Sequence, residues 1–129
     1  MLPSTVVFVV PTNDLAETLR FYREGLGLEV IDEWDEMGKG ALLELAPNVH
    51  VEVLALDDVP ARTEPTTGLG LEVADADVAY ARLLENGYTA KAPPRDRAWG
   101  KRGFGTRDPN GVPINVYHPL PEGSATSAA

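Results

Sequence analysis

The sequence predicts an α+β fold of two tandem β-α-β-β-β modules, forming a curved mixed sheet around a pocket with helices on the outside. Three observations carry that prediction. The order strand, helix and three strands is written twice, roughly 60 residues apart, which is an internal structural repeat. Each helical stretch opens at an aspartate, Asp14 or Asp75, and closes at glycine, Gly25 and Gly27 or Gly87. The intervening runs alternate apolar and polar residues with the period of half-buried strands. At 129 residues the chain is one domain, long enough to bury a core.

Module one is read as residues 5–56. Thr5 to Val10 is a β-branched and aromatic run that stops at Pro11, after which Thr12, Asn13 and Asp14 supply turn and N-cap chemistry. Leu15, Leu19, Tyr22 and Leu26 then recur at helical spacing, with Ala16 and Phe21 beside them. Leu28 to Trp34 is the second strand, Met37 to Gly40 a turn, and Ala41 to Ala46 the third strand. Pro47 and Asn48 turn the chain into Val49 to Ala55. There Val49, Val51, Val53 and Ala55 share one face, and His50, Glu52 and Leu54 the other.

Residues 57–67, rich in Pro, Thr and charge, read as a linker, and module two as residues 68–119. Leu69 to Val73 is its first strand, and Asp75 caps a helix through Val78, Ala79, Leu83 and Leu84 that ends at Asn86-Gly87. Tyr88 to Lys91 begins the next strand and Pro93 to Arg97 is a loop. Gly103 to Arg107, the turn Asp108-Pro109-Asn110-Gly111 and Pro113 to His118 make the final hairpin. The small, polar tail over residues 120–129 is expected to be mobile.

Charge and composition narrow the function classes. A net charge of −9 repels phosphate backbones and anionic lipid, so neither nucleic acid nor membrane is an expected partner, and a cationic small ligand is favoured. The absence of cysteine excludes disulfides and thiolate chemistry and fits a reducing cytoplasm. The apolar run Val6 to Val10 is too short to cross a bilayer, and no basic segment precedes it as in a signal peptide.

Several motifs resemble the vicinal oxygen chelate superfamily of glyoxalases, bleomycin-resistance proteins and dioxygenases. They are Pro11-Thr12-Asn13-Asp14-Leu15, Thr18-Leu19-Arg20-Phe21-Tyr22 and Gly25-Leu26-Gly27-Leu28 in the first half. In the second half they are Trp99-Gly100, Arg102, Phe104 and Arg107-Asp108-Pro109-Asn110-Gly111. The resemblance spans residues 5–119 and implies two modules facing one cavity, with a homodimer sharing its pockets between subunits. It also implies up to four inward-facing strand positions that hold a divalent metal in the family's enzymes. Those positions fall on Val7, Glu52, Gly68 and Asn115.

Two of the four lack a donor side chain, whereas a catalytic metal ordinarily needs about three protein ligands. The favoured reading is therefore a small-molecule-binding protein without a cofactor, closest in character to the bleomycin-resistance branch. It would sequester an aromatic or cationic compound such as an antibiotic. Its pocket residues would be Glu52, His50, Trp99, Arg102, Asn115, Tyr117 and Trp34, because flat aromatics stack on heteroaromatic ligands and carboxylates attract cations. Trp34 has an ordinary alternative as a cap on the first sheet, and Glu52 as an ion-pair partner of Arg102 or Arg107. The competing reading is a divalent-metal-dependent lyase, isomerase or dioxygenase with Glu52 and His50 as ligands. A third is metal-free acid-base chemistry through the same two residues.

Overall fold

In both halves of the chain, a helix separates an opening strand from a hairpin-rich remainder whose last strand returns beside the first. A computed structural model describes residues 2–36, 38–60 and 67–122. The chain divides into two units, residues 1–61 and 62–129. The predicted linker lies in part, and the predicted mobile tail for the most part, outside the described residues.

The first unit runs β1 (Val6–Thr12), α1 (Leu15–Arg20), β2 (Glu29–Trp34), β3 (Lys39–Ala46) and β4 (Val49–Ala55), in the sheet order β1-β4-β3-β2. β1 pairs parallel with β4, and the other two pairings are antiparallel. Pro11 does not end β1 as the sequence predicts, and the ladder continues to Thr12 opposite Ala55. β1 is an edge strand, where a residue without an N–H is tolerated.

Asp14 caps α1 by accepting the Glu17 N–H at 3.1 Å. The helix then widens over Phe21–Gly25, where the Leu26 N–H reaches the Phe21 carbonyl at 3.0 Å. Gly27, at φ 77°, makes the turn out of it. The fully buried helix residues are Thr18, Phe21 and Tyr22, packed with Val10, Ala41, Leu43, Val51 and Val53. Thr18 takes a core position, where its hydroxyl pairs with that of buried Thr12 at 3.0 Å, and Ala16 stays exposed.

The second unit repeats the plan as β5 (Leu69–Glu72), α2 (Ala76–Glu85), β6 (Arg95–Asp96), β7 (Lys101–Arg107) and β8 (Pro113–Pro119), ordered β5-β8-β7-β6. β5 and β8 are parallel. Asp75 caps α2 through the Asp77 and Val78 N–H groups. Gly87, at φ 87°, ends it with Tyr88 N–H on the Leu83 carbonyl and Gly87 N–H on that of Leu84.

Two expectations fail here. Tyr88 to Lys91 is not a strand: Lys91 N–H bonds the Gly105 carbonyl at 2.9 Å, but Pro93 and Pro94 have no N–H to continue the ladder. Pairing with β7 restarts only at Arg95 and Asp96, within the predicted loop. Val78 and Leu84 are exposed, and α2 instead buries Ala76 and Leu83 and rests Tyr80 on Phe104 at 5.5 Å between ring centroids. The rest of this core is Leu69, Val112, Ile114 and Val116. No helix among the described residues is long and apolar enough to cross a membrane.

The Asp108-Pro109-Asn110-Gly111 turn is built on a buried carboxylate. Asp108 Oδ1 accepts the N–H groups of Asn110 at 2.8 Å and Val112 at 2.9 Å. Asp108→Ala removes the acceptor of both donors, that of Val112 buried and that of Asn110 partly so, and is expected to lower stability by about 2 kcal/mol in denaturant titration.

Candidate functional site

Each helix covers one face of its own sheet, so every strand residue belongs either to the helix side or to the open side. Residues opposite one another on paired strands share a side. In the first unit the buried row Val10, Val53 and Ala41 marks the helix side, which puts Val9, Glu52 and Leu42 in a row on the open side. His50 lies on this side between Val7 and Glu44, and Trp34 lies on it over Gly40, whose missing side chain makes room for the indole. Glu52 is half-buried, and its carboxylate has no hydrogen bond or ion pair among the described residues. Three of the residues chosen from sequence, His50, Glu52 and Trp34, are thus on one surface.

In the second unit the helix side is Leu69, Ile114, Val116, Phe104 and Thr106. The open side carries the row Gly70, Asn115 and Gly105, register for register the counterpart of Val9, Glu52 and Leu42. Here a cavity of about 820 Å³ opens, within the range of small-molecule sites. Gly70, Gly105 and Asn115 lie on it together with Lys91, Arg107 and Thr89. Asn115 is the one residue chosen from sequence that lines this cavity.

The other three go elsewhere in the second unit. Tyr117 shares the open side with Asn115 but outside the cavity lining, with the Lys101 ammonium 5.4 Å from its ring centroid. Trp99 is 63% exposed at the tip of the β6–β7 hairpin, with the Arg97 guanidinium 5.6 Å from its ring. Arg102 is on the helix side, opposite His118. Its Nε and Nη2 fork onto the two carboxylate oxygens of Asp77, each at 2.9 Å, and its Nη1 reaches Asp96 at 3.1 Å.

That fork holds the Asp77 carboxyl below its ordinary value and raises Arg102, through the hydrogen bond to Asp77 first and that to Asp96 second. Arg102 therefore joins strand to helix and is not available to Glu52. His118 is likewise structural, its Nδ1 accepting the Ala76 N–H at the start of α2 at 2.8 Å.

The four family metal positions do not make a donor set. Val7 has no lone pair to offer. At Gly68 a Cβ would lie 2.5 Å from the Pro113 carbonyl oxygen, so the backbone there excludes any side chain. Glu52 and Asn115 remain, one carboxylate and one amide. Among the described residues no three His, Asp or Glu side chains are grouped to hold a metal.

Sequence reasoning overlooked the cavity's glycines and its two cations. The signal was present in Gly68-Leu69-Gly70 and Gly103-Phe104-Gly105, two strands with glycine at every second position and hence on one side.

The model of the Glyoxalase/Bleomycin resistance protein/Dioxygenase superfamily matches residues 5–116. No curated protein matches the chain. Among solved structures, TioX from Micromonospora sp. ML1 is similar at 20% identity and a TM-score of 0.71, over 92% of this chain and 100% of that one. FosX of Listeria monocytogenes, a genomically encoded fosfomycin resistance protein, is similar at 18% identity and a TM-score of 0.73, over 95% and 98%. A glyoxalase family protein from Enterococcus faecalis shares 26% identity at a TM-score of 0.70, over 90% and 96%. The α+β fold of tandem modules is common to these structures and this chain.

The Arg102 fork yields a pH test. Because the Asp77 carboxyl is depressed in the folded state, its contribution is full above the ordinary value of 3.8 and lost as pH falls through the lower folded value. Arg102→Ala is expected to cost about 1 kcal/mol at neutral pH, a fall of about 3 °C in the unfolding midpoint. The difference from the parent chain should close in acid below the ordinary carboxylate range.

Proposed function

The chain belongs to the glyoxalase/bleomycin resistance/dioxygenase superfamily, and from that premise we propose that it binds a small molecule without a protein-held metal. The observation that carries this reading is the cavity on the open side of the second sheet, roomy enough for a drug-sized ligand and lined in part by Asn115. Asn115 offers both a donor and acceptors to orient the ligand. Beside it, the donor set at the family's metal positions is broken at Val7 and at Gly68, where a side chain has no room.

The ligand class is an aromatic compound such as an antibiotic, removed from solution by stoichiometric binding. FosX, a resistance protein of the same fold, supports that class by analogy alone. The preference for a cation expected from the net charge suits the first unit's open side, with Glu52, Asp32, Glu44 and Trp34, better than the cavity of the second. Homodimerisation belongs to the same proposal, as does a cytoplasmic location.

A second reading is favoured by one observation: Glu52 is half-buried yet unpartnered among the described residues, a costly arrangement unless water, a cation or a substrate meets it. There it would serve as ligand or base in a metal-dependent reaction.

Calorimetric titration of the purified chain against a panel of aromatic antibiotics, with and without chelator, separates the two. Binding of one compound with equal affinity in both conditions is expected. Asn115→Ala should weaken it about tenfold, roughly the loss of one good hydrogen bond, while Trp34→Ala leaves it unchanged. Binding or turnover abolished by chelator and by Glu52→Gln would establish the second reading in its place.

A further inference from the structure

Glycine inside a strand weakens it, through lost backbone entropy and an absent side chain, so each one asks for a reason. Two glycines, Gly68 just ahead of β5 and Gly103 in β7, have a steric one. A Cβ at Gly68 would lie 2.5 Å from the Pro113 carbonyl oxygen, and one at Gly103 would lie 2.5 Å from the Val116 carbonyl oxygen and 2.8 Å from Tyr117 Cβ. Gly70 and Gly105 have no such reason. A Cβ at Gly105 meets nothing within 4 Å, and one at Gly70 meets only the Tyr117 ring edge at 3.8 Å, an ordinary contact. Neither has the positive φ that demands glycine. Both flank Asn115 in one row, and all three residues line the cavity.

The lining has a second peculiarity. In a chain of net charge −9, it holds Lys91 and Arg107 and no acidic residue. The backbone of Lys91 is fixed beside the row, and the Arg107 guanidinium is held at the adjoining turn. The Lys91 N–H bonds the Gly105 carbonyl at 2.9 Å, and Arg107 Nη1 donates to the Gly111 carbonyl at 2.8 Å. Lys91 has no carboxylate partner among the described residues.

Resting on the reading of this cavity as a ligand site, we infer that it takes a flat anion, an aromatic carboxylate or sulfonate. The ring lies on the bare backbone of Gly70 and Gly105 at either side of the Asn115 amide, and the acid group is drawn by Lys91 and Arg107. The two glycines keep the floor beside Asn115 free of further side chains, so a planar body approaches the backbone there to van der Waals distance where any larger residue would hold it off. The cations reverse, at this one place, the charge preference of the whole chain. Gly70 and Gly105 thereby set specificity for shape, and Lys91 and Arg107 for charge.

The test is titration calorimetry of the full chain with three probes: naphthoate, naphthylmethylammonium and the globular adamantane carboxylate. Naphthoate is expected to bind at least about tenfold tighter than either of the others, a difference on the scale of one contact. Gly105→Val should lose naphthoate affinity by a similar factor with an unfolding midpoint equal to or above that of the parent. Gly105→Ala, which adds one carbon into open space, is the variant to read should the valine perturb folding, and it too should weaken naphthoate. Lys91→Glu should narrow or invert the preference between the two naphthyl probes.

Tighter binding of the ammonium, equal binding of the globular acid, or undiminished naphthoate affinity in folded Gly105→Val would overturn the inference. Failure of naphthoate beside metal-free binding of another compound would sink this inference and leave the protein standing as a metal-free binder. Chelator-sensitive naphthoate binding that keeps the charge and floor effects would support the inference and overturn the metal-free reading.

Discussion

The parallel pairing of first and last strands, β1 with β4 and β5 with β8, is the constraint from which the rest of each unit follows. Parallel neighbours cannot be joined by a tight turn, so the chain must leave the sheet and return. The departure is made by a helix, which covers one face of the sheet. The buried apolar strand residues, Val10, Ala41, Leu43, Val51 and Val53 in the first unit and Leu69, Phe104, Ile114 and Val116 in the second, turn toward that helix, and the opposite face is left for other residues. The open sides with Glu52 and Asn115 are therefore a product of connectivity before they are a product of any functional residue.

From equivalent positions the two units have diverged. The row Val9, Glu52 and Leu42 is filled with side chains and carries a carboxylate, whereas Gly70, Asn115 and Gly105 is nearly bare and carries an amide. Around the first lie Trp34, His50 and more acids; around the second lie Lys91 and Arg107. One repeated scaffold thus presents an acidic, aromatic surface in one half and a hollow, cationic one in the other. A single statement about the charge of the chain describes neither.

Much of the polar chemistry that attracts attention in the sequence holds the architecture together. Asp14 and Asp75 cap helices, Asp108 ties a turn, and the paired hydroxyls of Thr12 and Thr18 join strand to helix inside the core. Arg102 and His118 anchor α2 to its sheet from neighbouring strands. These groups are engaged by backbone N–H groups or by one another, which leaves them little capacity for a ligand.

Local rules were enough to read the doubled β-α-β-β-β order, the aspartate caps, the glycine stops, the final turn and the alternation that separates Val51 and Val53 from His50 and Glu52. Each of these depends on residues a few positions apart, and periodicity reports such relations directly. The extent of β1 past Pro11 and the loss of a strand at Tyr88 to Lys91 were decided by sheet position and missing prolyl N–H groups. The direction of Arg102 was set by Asp77, 25 residues away, and the reason for each glycine by what its neighbouring strand places within reach of a Cβ. By itself the sequence determined which pieces the chain makes and the order of the repeat. Only the tertiary structure decided which residues face the open side, because a strand's side is settled by its register against other strands and by the helix that covers the opposite face.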